Sequence, residues 1–294
     1  MITAIDVCCG GGGWAVAARG LPIEIIAAFD WEEFCVRTYK ENHPATECHK
    51  CDVTHFDFSP WRGVDLILGG IPCEDLSAAR GMHPVPQERK DKLDALIRKM
   101  LALPGNLKAS WYCYEDVVQL AKLLPDGTPR FVLDSQHFSA QRRRRMYVGN
   151  CPAPSQNVIH HEVLSRHIRR GPYRRSLRLD SRVPGRARVY NSNKFYPWMH
   201  DEKSPTVIGL SSRHDNYAAT EHRDRWRQLE WQELASLQGF PDDYLFLGSP
   251  SNVTKMVGQA VQIDTARAIL TELVRHWEDK QGASQSPAPE GYKE

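Results

Sequence analysis

The stretch that decides the fold is ITAIDVCCGGGGW, residues 2 to 14. Its first six residues, mostly apolar, read as a buried strand, and four consecutive glycines, Gly10 to Gly13, follow it closely. Residues without a Cβ let a backbone come close to a nucleotide-like ligand and leave N–H groups free to face it. A second apolar run, IEIIAAF, ends at Asp30, twenty residues after Gly10, where a carboxylate can take ribose hydroxyls. Trp31 follows directly, and Asp52, in CDVT, comes after the next helix-like stretch. The turn alone suits an NAD site as well as an S-adenosylmethionine site; with Trp31 and Asp52, the ribose, adenine face and adenine edge would each have a partner.

Outward from the turn, VDLIL (residues 64 to 68) is a short apolar strand that runs into GGIPCEDLSAAR (residues 69 to 80). The Gly-Gly-Ile-Pro turn places Cys73 on a loop of restricted backbone at the mouth of a sheet, where α/β enzymes keep their chemistry. A lone cysteine reads more readily as a small buried hydrophobe. This one has company. WYCYEDVVQL (residues 111 to 120) predicts a short aromatic strand ending in Glu115, and RFVLDSQHFSAQRRRRMYVGN (residues 130 to 150) predicts two strands flanking a basic run. A thiol, a carboxyl group and arginines at strand ends make the set needed to attack an electron-poor ring. The thiolate adds to C6 of a pyrimidine, the carboxylic acid protonates or hydrogen-bonds the ring nitrogen, and C5 becomes nucleophilic enough to take a methyl group.

In this order the motifs resemble those of the DNA cytosine-5 methyltransferases over most of the chain. DVCCGGGGW is similar to the first glycine motif, FDW to the second, CDVT to the third, GGIPCEDLS to the catalytic loop, YEDV to the Glu-Asn-Val motif and QRRRR to the Gln-x-Arg-x-Arg motif. LEWQELASLQGFPDDY (residues 229 to 244) and VGQAVQ (residues 257 to 262) resemble the ninth and tenth. PCEDLS is closest in flavour to the eukaryotic de novo enzymes, while LQGFPDDY looks bacterial or phage-like.

The resemblance implies an α/β, Rossmann-like class I methyltransferase fold, a mostly parallel sheet with helices on both faces, plus a small target-recognition domain. It implies S-adenosyl-L-methionine as cofactor, S-adenosyl-L-homocysteine as product, and double-stranded DNA as the partner carrying the target base. Cys73 falls on the nucleophile, Glu115 on the group that steadies N3, and Arg143 and Arg145 on the arginines that place the base and orient the carboxyl. The implied cofactor set is Asp6, Cys8, Cys9, Gly10, Gly12 and Gly13 around the turn, Asp30 on the ribose, Trp31 on the adenine, Asp52 and Val53 at its amino edge, with Pro72, Gln259 and Val261. Ser77, Arg80 and Gln141 are implied on the DNA side. Four positions depart from the pattern. Cys8 replaces an aromatic residue and gives up stacking area. Asp116 replaces an Asn and, when ionised, only accepts hydrogen bonds. Glu74 replaces a Gln, and Gln259 an Asn.

Residues 151 to 203 carry eleven Lys or Arg against four Asp or Glu, an excess of +7 that leaves −5 for the rest of a chain with net charge +2. Clustered arginines match a phosphate backbone, and some can reach guanine edges, so Arg169, Arg170, Arg174, Arg175, Arg186 and Arg188 are expected at DNA. The competing reading of this piece is a solvated basic linker. The expected layout is a catalytic part at 1–150, the basic recognition region at 151–203, a returning catalytic part at 204–279 and a disordered tail at 280–294. Two amphipathic helices are predicted, one with Leu93, Leu96, Ile97, Met100 and Leu101 inward, the other with Ile263, Ala266, Leu270, Leu273, Val274 and Trp277.

With 294 residues and 41% hydrophobic content the chain can bury a substantial core. No run of about eighteen apolar residues occurs, so no membrane partner is expected, and the eight scattered cysteines suit reduced thiols in a cytoplasm, bacterial or phage-infected and near the nucleoid. Cys48 and Cys51 form a CxxC with His43 and His49 nearby, but no second pair completes a metal site, and none is expected. A monomer is expected, with a cognate restriction endonuclease as a candidate partner. The alternatives are an RNA (tRNA) cytosine-5 methyltransferase, an enzyme using a modified donor, a catalytically silent DNA-binding relative and an NAD-dependent oxidoreductase.

Overall fold

A computed structural model of the chain describes residues 1–71, 85–157, 177–178, 204, 206–207, 217–219 and 225–285. β1 (Ile2–Val7) pairs in parallel with β2 (Ile23–Asp30) on one side and β4 (Leu66–Gly70) on the other. β3 (Glu47–Lys50) extends the sheet beyond β2, and β5 (Trp111–Asp116) beyond β4, both in parallel. β7 (Arg144–Gly149) inserts antiparallel between β5 and β6 (Arg130–Asp134), which gives the order β3-β2-β1-β4-β5-β7-β6. The sheet is the mostly parallel one that the sequence predicts. Strand order reverses between β1 and β4, and ligands of open α/β sheets bind outside the carboxyl ends of the strands at such a reversal.

The alternating side chains of the strands feed two cores. Ile2 and Ala4 pack with α1 (Gly13–Ala18), α2 (Glu33–Asn42), α4 (Trp231–Leu237), α5 (Pro250–Gln259) and α6 (Ile263–Gln285). Ile5 and Val7 face the other way, onto α3 (Gln87–Leu107) and a cluster in which Phe58 and Trp61 meet the Phe29 ring edge-on. On α3, Ile97 and Met100 are buried as predicted, Leu93, Leu96 and Leu101 are half-buried, and Leu103 and Leu107 add to the inner face. The helix passes through Pro104, which has no N–H to give the Met100 carbonyl. The Tyr114 hydroxyl donates to that carbonyl instead, at 3.0 Å.

In α6, Ile263, Ala266, Leu270, Leu273 and Val274 are buried and Trp277 packs partly against them. The helix continues to Gln285, so residues 280–285 are helical where composition read as disordered. The Lys280 ammonium lies 4.5 Å from the centre of the Trp111 ring, a contact that a composition count does not register. Residues 286–294 lie outside the described residues.

A small antiparallel sheet, β8 (Leu177–Arg178), β10 (Arg225–Gln228) and β9 (Tyr217–Ala219), has the order β8-β10-β9. Its pairing crosses the boundary drawn at residue 203, so residues on both sides of that boundary build one sheet. Between β8 and β9 the chain touches the connection between β6 and β7: Ser204 N donates to Ala140 O at 2.8 Å and Arg142 N to Ser204 O at 2.7 Å.

Candidate active site

Three strand ends meet at the glycine turn. Cys9 N donates to Phe29 O at 3.0 Å, Gly10 N to Asp30 Oδ2 at 2.8 Å, and Cys51 N to Asp30 O at 2.9 Å. Asp30 Oδ1 accepts from Glu32 N at 2.9 Å, so the buried Asp30 carboxyl holds the turn with both oxygens; desolvation by burial raises its pKa. Trp31 beside it is 68% exposed, with its indole open to stack. Asp52 is exposed and accepts from Thr54 N at 2.9 Å and Thr54 Oγ1 at 2.6 Å, bonds that lower its pKa, while Val53 is buried below.

The turn needs its glycines. Gly12 has φ +86°, and a Cβ there would meet Tyr244 Oη at 2.6 Å; one on Gly13 would meet Val261 Cγ1 at 3.0 Å. Gly10, with φ +52°, has open space in the Cβ direction. Cys8 shares the left-handed region at φ +57°, unusual for a residue with a side chain, and is half-buried; Cys9 is buried. Gln259 is exposed and Val261 buried. Asp6 is 0% exposed, and neither of its oxygens has a hydrogen-bond partner. Burial, with Asp30 nearby, pushes its pKa up to about 8.

Further along the sheet edge, Glu115, the last residue but one of β5, is nearly buried. Arg145 Nε lies 3.1 Å and Arg143 Nη2 3.6 Å from Glu115 Oε1. The two arginines differ in depth. Arg143 is 2% exposed and donates to Val207 O at 3.0 Å, Gly258 O at 3.2 Å and Ala260 O at 3.0 Å, whereas Arg145 keeps part of its side chain in solvent. Arg142 and Arg144 are exposed, the alternation that an extended chain imposes. Asp116, the departure from Asn, is buried and its Oδ1 accepts from Val117 N at 2.5 Å.

Gln141 is a correction. It is 0% exposed, its amide nitrogen donates to Gln238 Oε1 at 3.0 Å and its oxygen accepts from Val207 N at 3.3 Å, so it faces the core and not DNA. Gln238 in turn donates to Val257 O and Ala260 O. Sequence reasoning passed over Gln238 and Tyr244, although both stand in the quoted LQGFPDDY run.

Pro72, Cys73, Glu74, Ser77, Arg80, Arg169, Arg170, Arg174, Arg175, Arg186 and Arg188 lie outside the described residues. The chain that leads to Cys73 is described as far as Ile71, whose N donates to Glu115 O at 3.3 Å. Just before it, Gly69 passes so close to β1 that a Cβ would meet Val7 O at 2.3 Å, and its carbonyl accepts from Trp14 Nε1 at 3.1 Å. Gly69 is thus required where β4 delivers the loop.

A seven-stranded sheet of this order, with one antiparallel strand and a glycine turn at the reversal, is the Rossmann-like fold of class I methyltransferases. The chain belongs to the C-5 cytosine-specific DNA methylase family, whose profile matches residues 2–122 and 154–275. It is 26% identical over 309 residues to the type II methyltransferase M.HindV of Haemophilus influenzae, covering 92% of this chain and 95% of that one. It is 22% identical to M.NgoMIV of Neisseria gonorrhoeae, covering 93% and 97%. Among solved structures it is similar in fold to the Entamoeba histolytica methyltransferase EhMeth, with a TM-score of 0.70 at 12% identity, covering 94% of this chain and 99% of that one. The S. pombe Dnmt2 methyltransferase gives a TM-score of 0.66 at 13% identity, with the same coverage. Among the described residues no helix is long and apolar enough to cross a membrane.

Proposed function

We propose that this protein transfers a methyl group from S-adenosyl-L-methionine to C5 of a cytosine extruded from duplex DNA, through a transient bond between Cys73 and C6. The observation that carries this reading is Glu115: its carboxyl is nearly buried and flanked by Arg145 and Arg143, and its backbone carbonyl accepts from the N–H of Ile71, two residues before Cys73.

The crevice fits a nucleoside cofactor. The turn is open above Gly10, Trp31 presents a free ring face, Asp52 offers an exposed carboxylate edge, and the orphaned Asp6 oxygens lie just behind the turn. When bound, the cofactor supplies an electrophilic methyl group on a sulfonium. Trp31 would stack on the adenine, Asp52 and Val53 would line its edge, Asp30 would receive the ribose, and Gln259 and Val261, the latter packed on Gly13, would line the remaining side.

C5 of a paired cytosine is stacked within the duplex, so the base is extruded before Cys73 reaches it. The Cys73 thiolate then forms a bond to C6 while the Glu115 carboxyl donates to N3, and the electron pair released from the C5–C6 bond makes C5 a nucleophile. After C5 is methylated, loss of its proton and departure of the thiolate restore the ring. Arg143 fixes the Glu115 carboxyl from within the protein, and Arg145, which reaches solvent, fixes it from the substrate side. The arginines of residues 151–203 would hold the opened duplex by its phosphates.

Incubation with genomic duplex and S-adenosylmethionine, followed by nucleoside mass spectrometry, tests the reading. 5-Methyl-2′-deoxycytidine is the expected product, and a product of any other mass, or methylation of structured RNA in preference to the duplex, would overturn it.

A further inference from the structure

Tyr244 belongs to no part of the mechanism above, yet its hydroxyl reaches the cofactor turn from 233 positions away. It donates to Gly11 O at 2.5 Å, and His43 Nε2 lies 3.1 Å from the same hydroxyl oxygen. Because the hydroxyl proton goes to Gly11, the imidazole is the donor to Tyr244. Burial lowers the pKa of His43 to about 4, which leaves the ring neutral near pH 7, with one N–H to give. Both side chains occupy the volume that a Cβ on Gly12 would need, at 2.6 Å for Tyr244 Oη and 3.1 Å for His43 Nε2. Glycine at position 12 and this pair therefore fit only together.

The end of α2 carries the segment that holds Tyr244. Asn42 Nδ2 donates to Leu245 O at 2.7 Å and Asn42 Oδ1 accepts from Leu245 N at 3.0 Å, while Leu247 N donates to Thr38 Oγ1 at 2.9 Å. Two side chains thus stand in for a neighbouring strand, and the Tyr244 ring is further fixed between Phe240 and Phe246, at centroid distances of 4.9 and 5.2 Å.

We propose that Tyr244 and His43 are positioning residues for methyl-donor binding: they hold the Gly11 carbonyl back, so that the turn meets S-adenosylmethionine in a preformed shape. This rests on the proposed function, because it assumes that the turn receives that cofactor. A preformed turn loses less freedom on binding, so the effect falls on affinity rather than on the chemical step.

The test is Tyr244→Phe, with His43→Leu and His43→Gln alongside. Tyr244→Phe is expected to raise KM for S-adenosylmethionine about tenfold with kcat and KM for DNA within twofold, and to speed hydrogen exchange at the Gly11 to Gly13 amides in the free protein. His43→Leu should do the same, and His43→Gln, which keeps an N–H donor, should recover most of the loss. A core variant such as Leu270→Ala controls for stability alone: it should lower Tm without moving KM. Unchanged donor KM and unchanged exchange in Tyr244→Phe would overturn the proposal. If the unsubstituted protein bound no S-adenosylmethionine, the cofactor reading would fail, and the exchange comparison would still decide whether the pair shapes the turn.

Discussion

Arg143 sits beneath Glu115 rather than beside it: Nη2 lies 3.6 Å from the carboxyl while the same guanidinium binds the carbonyls of Val207, Gly258 and Ala260. One buried cation thus joins the proposed catalytic carboxyl to the segment that flanks the cofactor crevice. The two family arginines should therefore fail differently when replaced. Arg143→Met should cost about 3–5 kcal/mol of stability, because it leaves buried oxygens without their partner. Arg145→Met, at a half-buried position, should keep the fold and lower kcat by roughly a hundredfold, the scale of losing one preorganised donor. Urea denaturation together with single-turnover kinetics separates the two; equal loss of stability in both would contradict the assignment.

Trp31 is the most solvent-open of the large side chains in the crevice, so Trp31→Ala should leave Tm nearly unchanged. Stacking on a base is worth about 1–3 kcal/mol, so Kd for S-adenosylhomocysteine should rise at least fivefold. Calorimetric titration reads both the affinity and its enthalpy, and an unchanged Kd would place the adenine elsewhere.

The partly buried His43 and the buried Asp6 give stability opposite slopes with pH. His43 titrates near pH 4 in the folded protein and near 6.5 when unfolded, so between these values the unfolded state binds more protons and stability rises with pH, by up to about 3 kcal/mol. Asp6 titrates near pH 8 folded and near 3.8 unfolded, so across that window the folded state holds the extra proton and stability falls as pH rises. Asp6→Asn removes the falling component. Its stability relative to the parent should improve steadily from pH 4 to pH 8, by a few kcal/mol in all. Denaturant melts at four pH values suffice, and a constant difference would show that Asp6 is ionised in the folded protein.

The strands, their order of chemistry and the face of α3 were legible because they are local: short apolar runs, glycines after a strand and helical spacing all lie within about twenty residues. Arg143 also obeyed its local pattern, buried between exposed Arg142 and Arg144. Its partners did not, because Val207, Gly258 and Ala260 stand 64 to 117 positions away. Gln141, which the family resemblance put on the DNA side, lies in the core for the same reason: Gln238 comes across the fold, 97 positions away, to pair with it. The helical character of residues 280–285 escaped a composition reading because the α6 contact with Trp111 is tertiary.

The basic segment should act on DNA alone. Replacing Arg169, Arg170, Arg174 and Arg175 by Ala should weaken duplex binding and flatten the slope of log K against log salt by about 0.9 for each phosphate that is no longer neutralised. KM for S-adenosylmethionine should not change. A salt slope equal to that of the parent would make this stretch a solvated linker.

Trapping of the covalent intermediate tests the central claim most directly. A duplex carrying 5-fluorocytosine at a methylated position cannot lose its C5 substituent as a proton, so the adduct should persist. Mass spectrometry of the digested complex should find one methylated oligonucleotide bonded to the peptide that contains Cys73, and no adduct with Cys73→Ala. Formation of 5-methylcytosine by Cys73→Ala at the rate of the parent, or an adduct on another residue, would contradict the account.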